Sequence, residues 1–220
     1  MTVTTLQPDA TAGIDNFITQ TAANQNNGTR VEISCGDVAA GTSHRRLLIK
    51  FDLSSITAGS TINSATLYMT CTSESSSTNF DIGIHRSLVV WYEGNQSAGT
   101  PTGEDASVWN YRNHTGSVAW TGGAGGVSGT EWAASATATT TITQAANTEF
   151  SWDVTADLTY WITNGNTNLG WWAISVGEGS TNSMKTFAAS DNATASYRPR
   201  ISVDWTAPSA GNPYYAYAQQ

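Results

Sequence analysis

Residues 43–72 read SHRRLLIKFDLSSITAGSTINSATLYMTCT. Leu47, Ile49, Phe51 and Leu53 alternate with Leu48, Lys50 and Asp52, the period of two that lays one apolar stripe along one face of a strand. Ala65, Leu67, Met69 and Cys71 repeat the device against Thr66, Tyr68, Thr70 and Thr72. The connection between them, SSITAGSTINS, is polar, contains Gly59, and has Ile56 and Ile62 as anchors near its ends. At about a dozen residues it is longer than a tight hairpin turn. The stretch therefore predicts a strand pair packed on a second sheet, because a single sheet would leave the stripe in water.

Further strands follow on either side. Residues 1–20 read as an opening strand anchored by Ile14, Phe17 and Ile18, and Asn24 to Gly28 form a polar turn. Val31, Ile33 and Cys35 alternate with Glu32 and Ser34, and Phe80, Ile82 and Ile84 restart the pattern after a Ser-rich loop. Later strands are predicted at Thr139–Thr143, Phe150–Val154, Trp171–Val176, Met184–Ala188 and Arg200–Trp205. Within Trp171–Val176, Trp172 and Ile174 are assigned to the core with Leu47, Ile49, Phe51, Leu67 and Met69, leaving Trp171 on the other face. A short helix is expected over residues 156–163, capped by Asp153 or Thr155. There Leu158, Trp161 and Ile162 fall at i, i+3 and i+4 before Asn164-Gly165. Residues 92–132 break the rhythm as one long loop carrying Trp109, Tyr111, Trp120 and Trp132; tryptophan at that density argues against disorder. The fold read here is all-β: a sandwich of two antiparallel sheets over residues 1–207, with one long aromatic-rich loop and a short helix. A Pro/Tyr-rich tail, residues 208–220, follows.

Composition narrows function. Charged residues are only 12% of the 220, against nine tryptophans and 39% hydrophobic residues. The surface must be covered by hydroxyls, amides and glycine. A net charge of −8 repels phosphate backbones, so nucleic acid is not an expected partner. No apolar run is long enough to span a membrane, and the first residues have neither the basic nor the apolar region of a secretory signal. Cys35 and Cys71 read as two buried thiols, with a disulfide between them left open. His44, His85 and His114 lack metal-ligand spacing. No nucleophile–base pair or flanking acid pair is evident, so no hydrolase or lyase activity is expected.

Arg46 to Ser54, followed by Ile62-Asn63-Ser64-Ala65-Thr66-Leu67, resembles the signature of DNRLRE-type domains. The likeness continues through Trp91-Tyr92-Glu93-Gly94, Trp109-Asn110-Tyr111-Arg112, Trp120-Thr121, Trp152-Asp153-Val154-Thr155, Trp161 and Arg198-Pro199-Arg200-Ile201. These are jelly-roll modules related to carbohydrate-binding modules, found on polysaccharide-degrading enzymes, cell-surface proteins and phage structural proteins. The resemblance implies a jelly-roll topology; function has to be argued from sites. Two departures stand out: Lys50 sits where an arginine is common, and Phe187-Ala188-Ala189-Ser190-Asp191-Asn192 replaces a Phe-x-Ser-Arg-Glu element.

Sugar rings stack on tryptophan and tyrosine while polar side chains bond their hydroxyls. Trp109, Tyr111, Arg112, Trp120 and Trp171 are the candidate ligand contacts. Because Trp109, Tyr111 and Trp120 belong to the family motif, the resemblance also implies that they anchor the long loop. It further implies a structural calcium ion, for which Asp15, Asp37, Asp153 and Asp191 stand near turns; helix capping (Asp153) and turn hydrogen bonds are their ordinary roles. Tyr214, Tyr215 and Tyr217 are expected to dock the tail on a neighbouring copy or another structural protein. The first functional expectation is a non-catalytic surface protein of an assembly, such as a phage virion decoration or adhesion protein, placed on a virion surface or outside the cell. The alternative is a glycan-binding module of a secreted enzyme or cell-surface protein.

Overall fold

The computed structural model describes residues 1–8, 14–39, 41–74, 78–143, 146–180 and 182–209. Tyr214, Tyr215, Tyr217 and the rest of the tail beyond Ser209 lie outside the described residues, as does Asp9.

Two antiparallel sheets face one another. The larger contains β1 (Thr2–Leu6), β13 (Arg200–Thr206), β5 (Thr61–Glu74), β12 (Lys185–Ala188) and β3 (Glu32–Cys35), with β10 (Thr148–Asp153) also pairing β5. The smaller runs β2 (Ile14–Thr19), β4 (Arg45–Lys50), β11 (Trp171–Ser175), β6 (Phe80–Arg86) and β9 (Ala138–Ile142). A small ribbon of β7 (Tyr111–Asn113) and β8 (Val118–Ala119) lies within the long loop. The opening segment thus divides into two strands, β1 and β2, placed in different sheets.

The two strands of the 43–72 stretch do not pair. β4 lies in the five-stranded sheet and β5 in the six-stranded sheet, and the intervening residues cross between them. Alternation marks which face of a strand is apolar but not which strand lies beside it. Packed sheets lie about 10 Å apart, so a dozen residues reach across easily.

Between the sheets, Leu47, Ile49 and Phe51 meet Leu67, Met69 and Cys71, joined by Ile82, Ile84, Trp152, Phe187 and Ile201. Cys35 and Cys71 are both buried thiols with no disulfide. One end is closed by α1 (Thr155–Leu158), which widens into a π turn over Thr159–Thr163 and buries Leu158, Trp161 and Ile162. The capping position is Val154, which makes no side-chain cap, in place of the expected Asp153 or Thr155; Asp153 Oδ1, one residue further out, accepts the Thr155 amide at 2.9 Å and fixes the turn that leads into the helix.

The register of β11 corrects the assignment of Trp171 and Trp172. Trp171 is paired with Ile49, Trp172 with Leu48 and Ala173 with Leu47. Trp171 and Ala173 therefore belong to the inter-sheet core, while Trp172 faces outward. Ile174, also assigned to that core, packs instead against the outer cluster. This outward face is not wet. Trp172 joins Ile18, Leu48, Trp91, Trp109, Trp120 and Trp132 in a second apolar cluster beneath the long loop. Where both faces of the sheet's inner strands are covered, at Leu47–Ile49 and Trp171–Ala173, adjacent positions are all apolar, and alternation loses its power to choose a face.

Candidate functional site

All nine tryptophans are at most 9% exposed. Trp109 and Trp120 lie in the outer cluster; Trp120 donates its indole N–H to the Val108 carbonyl at 2.9 Å and meets Trp172 edge-on at 5.1 Å. Trp171 donates to Asp157 Oδ2 at 2.7 Å and packs edge-on against Trp161 at 4.7 Å. Their ring faces are occupied by protein. Tyr111 and Arg112, on β7, are half-buried, with Tyr111 edge-on to His114. The five residues are thus divided: Trp109 and Trp120 in the outer cluster, Trp171 in the inner core, and Tyr111 and Arg112 on the ribbon.

Arg46 holds this loop down. Its Nε and Nη2 donate to the two carboxylate oxygens of Glu178, each at 2.8 Å, and Nη1 donates to the Gly125 and Gly126 carbonyls at 2.9 and 2.8 Å. The guanidinium also lies 5.2 Å from the Trp109 ring and 4.9 Å from that of Trp132. Glu131, fully buried, accepts the Gly122 amide at 2.9 Å and the Val127 amide at 2.7 Å. Gly125 has φ of +83°, and a Cβ there would meet the Trp109 ring at 2.5 Å, so glycine is needed on both counts.

With the tryptophans enclosed, Tyr160 is the one aromatic among the described residues that counts as exposed, at 38%. It sits on the outer side of the π turn, opposite Trp161. The Arg86 guanidinium stacks over its ring at 4.0 Å and is held by Asp157 Oδ1 at 3.1 Å. Buried Asp157 also accepts the Thr137 hydroxyl at 2.6 Å, so two hydroxyl or indole donors and one cation fix it. Asn166 donates to the Tyr160 carbonyl at 3.0 Å, folding the 164–169 turn against the ring. Together Arg86, Leu88, Tyr160, Asn166, Thr167 and Leu169 line a groove of about 240 Å³. It offers an aromatic surface, a guanidinium, an amide and a hydroxyl. The sequence held a signal for it: the spacing that buries Leu158, Trp161 and Ile162 leaves Tyr160 outside.

The candidate metal-binding acids do not form one group: Asp37 and Asp153 stand apart, while Asp191 lies close enough to Asp15 to add to its rise. Among the described residues no three His, Cys, Asp or Glu side chains gather into a metal-binding group. Asp37 is fully buried, with His44 Nδ1 2.7 Å from Oδ1 and the Gly179 amide donating to Oδ2 at 2.6 Å. The Thr155 hydroxyl and amide hold the Asp153 carboxyl below the usual carboxylate range. Asp191 is raised by burial, against the pull of Arg198. Burial pushes Asp15 up to about 7, and it pushes Glu93, which accepts the Asp15 amide, up to about 8.

No curated protein matches the chain. Residues 7–95, which contain β2 through β6 and the first turn of the long loop, match the model of carbohydrate-binding module family 96.

Proposed function

We propose that this chain is a non-catalytic glycan-binding sandwich that takes its sugar on the Tyr160 groove. The family match over residues 7–95 supports glycan binding, and it favours that reading over a virion or adhesion block. The proposal keeps the resemblance of the ordered motifs from Arg46 to Ile201 to DNRLRE-type domains, most of which lie beyond the matched residues. The observation that carries the choice of site is the contrast in exposure: nine covered tryptophans and one uncovered tyrosine. A sugar ring laid on the free side of Tyr160 would bring its hydroxyls within reach of Arg86, Asn166 and Thr167. Arg86 is already oriented by Asp157, so little side-chain entropy is lost when it bonds a ligand.

Affinity electrophoresis of the whole chain through gels containing a panel of neutral and acidic polysaccharides tests this. At least one should retard the protein, and Tyr160→Ala should weaken that binding at least about tenfold, roughly 1.4 kcal/mol, with no change in melting temperature. Equal retardation of the variant would place the site elsewhere. Retardation by none of the panel would sink the glycan reading.

A further inference from the structure

Two arginines at one end of the five-stranded sheet share a pocket that holds no acid. Arg45 opens β4 opposite Thr19 of β2, and Arg30 stands on the turn before β3. Their guanidiniums lie 5.5 and 5.9 Å from the centre of the Phe17 ring. Arg46, Arg86 and Arg200 each hold a carboxylate. Among the described residues Arg30 and Arg45 form no ion pair and no side-chain hydrogen bond, and the Nε of Arg45 is enclosed without an acceptor. Burial pulls the Arg45 pKa down, and the charge of Arg30 adds to the fall. The π face of Phe17 attracts both cations but offers no oxygen acceptor. A guanidinium taken from water without an acceptor is costly, and a second positive charge beside it raises that cost.

We propose that this pocket binds a tetrahedral oxyanion, a sulfate or phosphate group held between Arg30 and Arg45. Guanidinium forks suit such oxygens. Neutral donors complete the set. The Thr19 and Thr21 hydroxyls bond one another at 3.1 Å, so whichever donates, the other keeps its hydrogen. Asn27 gives one amide hydrogen to the Phe17 carbonyl at 2.9 Å and retains the second. Donors from β2, from β4 and from the turn before β3 can surround a tetrahedron, whereas one fork satisfies a planar carboxylate. The pocket is about 140 Å³, below the roughly 300–1,000 Å³ of ordinary small-molecule sites, so it admits a single group and not a sugar ring. It is separate from the Tyr160 groove. Arg86 lies in the row of Trp171 and Ile49, about 13 Å further along the strands than Arg45 and on the far side of β11.

The test uses the whole protein, with melting and isothermal titration against sodium sulfate, sodium phosphate and sodium acetate. Concentrated sulfate stabilises folded proteins in general, so titrations stay in the low millimolar range with ionic strength fixed by chloride. Sulfate or phosphate at tenfold excess over its dissociation constant should raise the melting temperature by about 3–5 °C, with one site per chain. Arg30→Gln should weaken binding at least about tenfold. Arg45→Met should abolish the response and, by removing an unpaired charge, leave the anion-free protein no less stable. Arg200→Gln and Tyr160→Ala should bind the anion as the parent does, so this result stands apart from that of the Tyr160 groove. Electrophoresis through gels of dextran and of dextran sulfate separates the sources. Retardation by the sulfated polymer alone, lost in Arg45→Met, would show that an ester on a glycan reaches the pocket; the net charge of −8 disfavours non-specific attraction. A response to the inorganic ions without such retardation would assign the pocket to a free anion. No response to sulfate or phosphate would overturn the proposal, as would an equal response in Arg45→Met or acetate binding as tight as sulfate.

Discussion

Replacing Arg46 with methionine keeps an unbranched apolar stem and removes the guanidinium. Three things are then lost together. Glu178, whose side chain is 18% exposed, loses a bidentate partner. The Gly125 and Gly126 carbonyls lose their donor. Trp109 and Trp132 lose the cation that lies beside them. Breaking a buried ion pair from one side costs about 3–5 kcal/mol, and each cation–π contact about 0.5–2 kcal/mol. These terms overlap, and the residual exposure of the pair discounts the first, so the expected net loss is about 3–5 kcal/mol. Arg46→Lys should recover only part, because an ammonium cannot serve a carboxylate fork and two carbonyls at once. The measurement is urea unfolding followed by tryptophan fluorescence, with the midpoint shifting at constant slope. A cycle with Glu178→Met should show a coupling of about 1–3 kcal/mol, the double variant being less damaged than the sum. A loss below about 1 kcal/mol for Arg46→Met, or an additive cycle, would refute the view that this arginine pins the loop.

Two further outcomes are expected. Phe51→Ala, just past the end of β4 and buried in the inter-sheet core, should cost about 3–5 kcal/mol in the same assay, and a loss under about 1 kcal/mol would place the ring outside that core. Gly28→Ala would put a Cβ 2.3 Å from the Glu93 carbonyl oxygen, so the backbone must move. A loss of about 1–3 kcal/mol is expected, and unchanged stability would mean that the close approach of the two segments is absent.

The parts of the fold legible in the sequence were those governed by local periodicity. Leu47, Ile49, Leu67 and Met69 point inward as their alternation requires, and the helix turn at Leu158 and Trp161 follows its spacing. What was not legible depends on distant partners. Nothing near Phe51 says that the next strand belongs to the other sheet. Nothing near Asp15 says that its carboxyl group meets Ser190, 175 residues later. Aspartate near a turn reads as solvated, and only the completed sandwich shows that this one is enclosed. Trp171 and Trp172 failed for another reason. Two adjacent tryptophans on a strand covered on both faces carry no parity, and the register alone separates them.

That double coverage bears on where a ligand can bind. An uncovered outer face of the five-stranded sheet would expose Trp172 and Leu48 as a flat aromatic platform. Here residues 87–132 fold back over it, and the cover is itself built from Trp91, Trp109, Trp120 and Trp132. A loop rich in glycine and small polar residues has few apolar atoms to bury per residue. A handful of large rings, each burying roughly 150–250 Å², is an efficient way to fix such a loop without regular structure. Trp91, Trp109, Trp120 and Trp132 are therefore committed to the roof, and the other tryptophans are buried beneath it or between the sheets. On the proposed glycan-binding reading, recognition falls to an aromatic at the roof's margin, where Tyr160 stands: its groove is walled by Leu88, where the cover begins, and by Leu169, whose carbonyl accepts the Trp91 indole N–H at 2.9 Å. The same contacts that close the sheet set the shape of the groove, so changes that loosen the roof at Trp91 should also weaken binding at Tyr160, whereas Tyr160→Ala leaves the roof intact.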